Sequence, residues 1–222
     1  MTKTGARAHA LTRLLTAVGW RAVPTPTRPR ISDVPTACAA MIRQVYDDLG
    51  GLASEFSNAR PGGFDLAFDT GDGPVVVELD EEQHFNRYRA TTLLRPWAAD
   101  LPWTDDYLSY CRQYETEMTR SWMSGRRWTN DSAPRFFGPP SPPGDFSAVG
   151  SPRWRQRAFY DSVKDLLPEV RLARVSVHDP IAEHSLNRVL RNVDLTAAPE
   201  VLTLVTSRTH DWPAPSHEVP RS

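Results

Sequence analysis

The chain has 222 residues, 40% hydrophobic and 24% charged, a globular composition that excludes intrinsic disorder and suits one domain with insertions. Its formal net charge of −1 excludes a protein that coats nucleic acid through bulk positive charge, so any such contact must come from a local patch. Cys38 and Cys111 form neither a disulfide framework nor a CxxC site, and no run approaches the roughly 18 apolar residues of a membrane span; a cytoplasmic protein without a membrane partner is expected.

The first predicted element is a helix over 7–18, where Ala8, Leu11, Leu14, Leu15 and Val18 recur at helical spacing and Gly19 closes the run. The proline-spaced segment 23–31 reads as extended chain or loop. Asp33, as N-cap ahead of Pro35, opens a second helix with Ala39, Ile42, Val45, Tyr46 and Leu49 as its apolar row and Gly50-Gly51 as its end. Residues 64–68 then alternate like a strand. Thr70-Gly71-Asp72-Gly73 is a hairpin turn, because Asp-Gly supplies the positive φ such turns need, and 74–80 is a second strand whose valine run predicts burial on both faces.

A charged helix is expected to about Leu94, and another over roughly 105–123 with Leu108, Cys111, Tyr114 and Met118 apolar. Residues 129–152, with Gly-Pro-Pro-Ser-Pro-Pro-Gly at 138–144, are predicted as a long surface loop. Helix returns over 154–167 and strand over 171–177. Asp179-Pro180 is expected to cap a helix over 181–191, and Val201 to Val205 reads as a late strand before a frayed end.

Three acids concentrate in the hairpin: Asp65 on its first arm, Glu78 and Asp80 at the end of its second. Side chains alternate along a strand, so Glu78 and Asp80 share a face, and hairpin pairing can bring Asp65 across to them. Carboxylates that converge repel one another unless a proton or a cation intervenes. Such hard oxygen ligands suit Mg²⁺, which can activate water and stabilise charge developing on phosphorus. His84 falls just past the strand end, placed to act as acid, base or phosphate contact, with Gln83 as its polar neighbour.

Phe64-Asp65-Leu66-Ala67, followed by Val77-Glu78-Leu79-Asp80-Glu81-Glu82-Gln83-His84, resembles the PD-(D/E)XK nuclease superfamily, in particular its branch similar to very-short-patch-repair endonucleases. The helix 154–167 followed by the strand 171–177 is similar to that family's closing helix–strand pair. The resemblance covers about 64–95 and 152–178. Two positions depart from it: the superfamily's usual lysine two residues after the glutamate is Asp80, as in that branch, and the branch's following glycine is Glu81.

What the resemblance implies is a restriction-endonuclease-like α/β fold: a mixed sheet flanked by helices, with a helical and Pro-rich insertion. It would be one nuclease-like domain over 1–222, with a core of about 33–95 and 152–206, an insertion of about 96–151 and the N-terminal helix 7–18. The sheet would comprise the hairpin, Arg171–Val177 and Val201–Val205. The implied activity is Mg²⁺- or Mn²⁺-dependent hydrolysis of nucleic-acid phosphodiesters, with DNA the substrate. Asp65, Glu78 and the Leu79 carbonyl would hold the metal, Asp80 would be an outer or second-metal acid, and His84 would handle a proton or a phosphate. The alternative is a catalytically inactive module of the same fold that binds nucleic acid, a protein partner or a second copy. A third class is an assembly subunit whose Pro-rich loop is the contact surface.

Other residues admit two readings. Arg87, Arg89 and Arg95 follow the acids, and either face phosphates with Gln83 or form a solvated face. Arg153, Arg155 and Arg157 flank Trp154, and Arg126-Arg127 precede Trp128, patterns that fit either phosphate contact with stacking or simple packing. Glu81 and Glu82 read as solvated turn acids, and Glu55 as an additional site acid. His178, His184, His210 and His217 show no metal-ligand spacing, and His178 reads as structural.

Overall fold

The computed structural model describes residues 5–211 apart from 53, 55, 58 and 123, with the backbone alone of 118, 121 and 122, so Glu55 and His217 lie outside the described residues. Helix α1 (Ala6–Ala17) buries Leu11, Leu14 and Leu15 as its periodicity predicts, and Gly19 follows at φ 98°. Strand β1 (Arg21–Ala22) comes next. Asp33 does not cap a helix: its carboxylate accepts the Arg30 N–H in a 3-10 turn, and α2 (Thr36–Asp48) starts only after Pro35. At the end of α2 a side chain on Gly51 would lie 2.1 Å from the Tyr46 ring, so only glycine allows the chain to turn there.

Strand β2 (Leu66–Asp69) and β3 (Pro74–Asp80) form the predicted hairpin, with Gly71 and Gly73 at φ 92° and 111°. The charged helix is split, because Asn86 stops a 3-10 turn at Glu82–His84 and caps α3 (Arg87–Leu93), accepting the N–H groups of Tyr88 and Arg89. Helix α4 (Thr104–Trp122) follows. The segment expected as a surface loop contains α5 (Ala133–Phe137) and is anchored by fully buried Ala133, Phe137 and Ser151. Its prolines bound the short helix and do not prevent it, since Pro134 occupies the first turn, where no N–H is needed.

Ser151 caps α6 (Pro152–Asp165), which leads into β4 (Leu172–Ser176). Asp179 is not the expected cap. Its carboxylate accepts the Ser176 N–H and the Tyr110 hydroxyl, and β5 (Pro180–Ile181) turns back through Ala182, at φ 49°, into β6 (His184–Ser185). Ser185 caps α7 (Leu186–Asn192). The late strand expected at Val201–Val205 is helix: α8 (Ala198–Ser207) buries Ala198, Val201 and Val205 on one helical row, and a five-residue segment with four apolar residues fits either period. Strand β7 (Thr209–His210) follows.

The result is an α/β architecture: a mixed five-stranded sheet of order β1-β2-β3-β4-β7, flanked by helices. β3 pairs antiparallel with β2 and parallel with β4, so it is central and buried throughout after Pro74, as its valines predict. One face carries Phe68, Val75, Val77, Leu79, Ala173, Val175 and Val177 against α1, α7 and α8. The other carries Ala67, Val76 and Leu172 against Phe85, Trp103 and Tyr107, and then turns polar toward the ends of β3 and β4, where α6 crosses. No helix among the described residues is long and apolar enough to cross a membrane.

Candidate active site at the β2–β3 ribbon and helix α6

The register sets the site. Leu66 faces Val77, so one step further Asp65 comes beside Glu78, while Glu78 faces Arg174 across the β3–β4 ladder. These three and Asp80 therefore share one face of the sheet. The arms also interlock: the Asp65 N–H donates to Glu78 Oε1 at 3.3 Å, and the Leu79 N–H donates to Asp65 Oδ2 at 3.0 Å. On α6, Arg157, Asp161 and Lys164 recur at spacings of four and three and so project from one side toward the acids. A cleft of about 150 Å³ results, lined by Gly62, Asp65, Glu78, His84, Arg153, Arg157, Tyr160, Asp161 and Lys164.

Glu78 is buried, and Lys164 Nζ sits 2.8 and 2.7 Å from its two oxygens. Burial pushes the Glu78 carboxyl up to about 7 even though Lys164 and Arg174 favour its ionised form. Asp65 is exposed at the rim, and desolvation by surrounding protein raises its carboxyl despite the Leu79 N–H bond and Lys164. Behind them His84 Nδ1 lies 3.1 Å from Asp80 and 2.8 Å from Asp161.

Asp80 also meets Arg174 at 2.8 Å and accepts the Tyr107 hydroxyl at 2.9 Å. Burial opposes its ionisation, but Arg174 and His84 hold it below the usual carboxylate range. The same competition leaves Asp161 well below that range, with His84 and then Arg174 outweighing burial. Arg174 further binds Asp165 at 2.6 Å, and Arg89 approaches Asp165 at 2.8 Å. Asp80, His84 and Asp161 each offer a ligand atom within 4.8 Å of the others, a set that could hold a metal ion.

Asp65, Glu78 and His84 thus line one cleft, whereas Asp80 lies behind it as a partner of Arg174, Tyr107 and His84. Arg89 cannot meet a phosphate: it is 1% exposed and paired inside the protein with Asp165. Arg87 lies outside the cleft lining, paired with Glu115 at 2.7 Å and stacked over Phe146, and Arg95 pairs with Asp48. The Gln83 side chain donates to Glu81, and the Gln83 backbone carbonyl accepts from Arg157. Glu81 and Glu82 are not merely solvated: both grip Arg7 of α1.

Trp154 and Trp128 are buried among other aromatic rings, so neither is a stacking platform, and Arg155 clips the carbonyls of Val149, Leu49 and Ala148. His178 stacks on Tyr114 at 3.7 Å. Sequence reasoning missed Asp161, Lys164, Asp165 and Arg174. The available signals were an arginine at the centre of the apolar strand Leu172–Ser176 and three charges on one side of α6.

A family model described as a family of unknown function (DUF7255) matches residues 44–193, about two thirds of the 222-residue chain, and that span contains every residue of the cleft. No curated protein and no solved structure matches.

Proposed function

For a chain that belongs to DUF7255, a family of unknown function, we propose the activity of a metal-dependent phosphodiesterase on a restriction-endonuclease-like fold of PD-(D/E)XK type, hydrolysing nucleic acid and, by the resemblance of its motif, DNA. The observation that carries this reading is the meeting of Asp65 and Glu78, from opposite arms of one ribbon, in a cleft where Lys164 Nζ touches Glu78 at 2.7 Å. The superfamily's lysine is missing from position 80, and α6 supplies an ammonium group to the same glutamate from another element.

The donor set fits a hard divalent cation. It offers the Asp65 and Glu78 carboxylates in the cleft, to which the resemblance would add the Leu79 carbonyl, and Asp80, His84 and Asp161 behind. Bound there, Mg²⁺ or Mn²⁺ would supply Lewis-acid activation of water and phosphate. The chain's own residues do the rest. Lys164 orients Glu78 and offers a positive charge to a phosphate oxygen. His84, held between Asp80 and Asp161, is fixed to pass a proton at its free ring nitrogen. Asp80 positions His84 and Arg174.

A second reading is a non-catalytic module that binds nucleic acid or a protein partner. It is favoured by one observation: Glu78, Asp80, Asp161 and Asp165 already meet Lys164, Arg174 or Arg89, so the cluster is compensated by the chain itself. Incubating the protein with plasmid and with single-stranded DNA, plus Mg²⁺ or Mn²⁺, separates the two. Asp65→Ala, Glu78→Ala and Lys164→Met should each lower cleavage by about a hundredfold or more. Cleavage that survives both acid substitutions would remove this site from the chemistry, and DNA binding without cleavage in any metal would favour the module.

A further inference from the structure

We propose that Arg153 and Arg157, one turn apart on α6, form with the Tyr160 hydroxyl a seat for a phosphate group at the basic wall of the cleft. The proposal rests on the phosphodiesterase reading for its substrate, but the seat can be tested without turnover.

The two arginines, both half-buried, differ from the buried guanidinium groups of this protein. Arg7, Arg89, Arg174 and Arg208 each meet at least one carboxylate. Among the described residues, the Arg153 guanidinium donates only to Gln156 Oε1, at 2.6 Å, and that of Arg157 only to the Gln83 backbone carbonyl, at 3.3 Å; neither has a carboxylate within 4.0 Å. A spacing of four places both side chains on the same side of the helix, where both line the cleft.

Burial lowers both guanidinium groups, Arg157 to about 10 with Arg153 adding its repulsion, so the pair carries an unmet demand for negative charge. Tyr160 completes the wall. Its hydroxyl accepts from the Arg60 N–H and from Gln156 Nε2, which leaves its own proton to donate.

The acids opposite do not cancel this demand. Glu78 is engaged by Lys164 and Asp161 by His84 and Arg174, although Asp161 remains in electrostatic range of both cleft arginines; Asp80 and Glu81 act on Arg157 as well but are paired with Arg174 and Arg7, and Asp65 stands at the rim. The planar fork of a guanidinium matches two phosphate oxygens, and a lysine in its place would not. A cleft of about 150 Å³ has room for one phosphate group.

The test uses the full chain in EDTA. Inorganic phosphate, a 5′-phosphorylated oligonucleotide and its unphosphorylated counterpart are titrated in turn, at matched ionic strength, while the arginine Nε–Hε resonances are followed by NMR. In the wild type the Arg153 and Arg157 signals should move with inorganic phosphate. Phosphate affinity should fall about tenfold or more in the Arg153→Ala/Arg157→Ala double variant and by less in Arg157→Lys. It should be unchanged in Arg188→Ala, on the opposite side of the sheet.

Tighter binding of the phosphorylated oligonucleotide would identify the ligand as a terminal phosphate, and equal binding as a backbone phosphate. No shift of either arginine in the wild type, or unchanged phosphate affinity in the double variant, would overturn the seat. The two proposals fail separately: phosphate binding that persists in a protein unable to cut DNA keeps the seat and removes the phosphodiesterase, whereas cutting without phosphate binding does the reverse.

Discussion

On one face of the sheet, Val75, Val77, Leu79, Ala173 and Val175 lie against α1, α7 and α8 in one apolar cluster. On the other face, their immediate neighbours in the same strands, Glu78, Asp80 and Arg174, meet Asp161, Lys164 and Asp165 of α6. Both faces bury their strand side chains, but by opposite means. The aliphatic face is stabilised by area, at about 25 cal/mol per Å² removed from solvent. The charged face takes several ions out of water, and their mutual attraction at best roughly offsets the cost. A hydrophobic replacement would hold the sheet about as well, so the buried ions contribute little net stability of their own.

Adjacent residues of β4 test this contrast most sharply. Arg174→Ala should cost about 3–5 kcal/mol in urea denaturation, because it strands Asp80, Asp161 and Asp165 without their common partner. Val175→Ala, one residue on and facing the other way, should cost about 2 kcal/mol from lost hydrocarbon and the space it leaves. Equal costs would mean that the charged face is no more than a polar core.

A somewhat smaller effect depends on pH. The Glu78 carboxyl stands at about 7 in the folded protein, above an ordinary value of 4.5. Between those values the unfolded chain ionises while the folded chain keeps its proton, so Glu78's contribution is complete below pH 4.5 and is lost as pH rises through 7. The loss is on the order of 3 kcal/mol. Glu78→Gln should remove it, which is read as the change in unfolding free energy between pH 5 and pH 8 in variant against wild type. An identical pH dependence in the two proteins would show that Glu78 is not desolvated. The smallest effect belongs to the rim of the same side. Arg87→Ala breaks a half-exposed surface pair and should cost about 1 kcal/mol or less by the same denaturation assay.

The hairpin was legible because everything that specifies it is local. The glycines at 71 and 73 set the turn, the valine run marks a central strand, and the period of two puts Glu78 and Asp80 on one face with Asp65 opposite. Helices α1, α2 and α6 were legible through their apolar rows, within a few residues at their ends. The region after β4 was misread, since Asp179 spends its carboxylate on Ser176, Tyr110 and Arg208, and the valines at 201 and 205 serve a helical row as readily as a strand. Arg89 was misread for a related reason: a charge in a helix looks solvated until its partner, Asp165, is known.

The sequence by itself determined the ribbon, its register and the side on which its acids project, because backbone alternation and turn chemistry act over a few residues. Only the tertiary structure decided what those acids meet. Lys164 reaches Glu78 across 86 positions of chain and Arg174 reaches Asp80 across 94, pairings set by how α6 and β4 pack on the sheet. Electrostatic partnership depends on distance in space, and no local pattern encodes it.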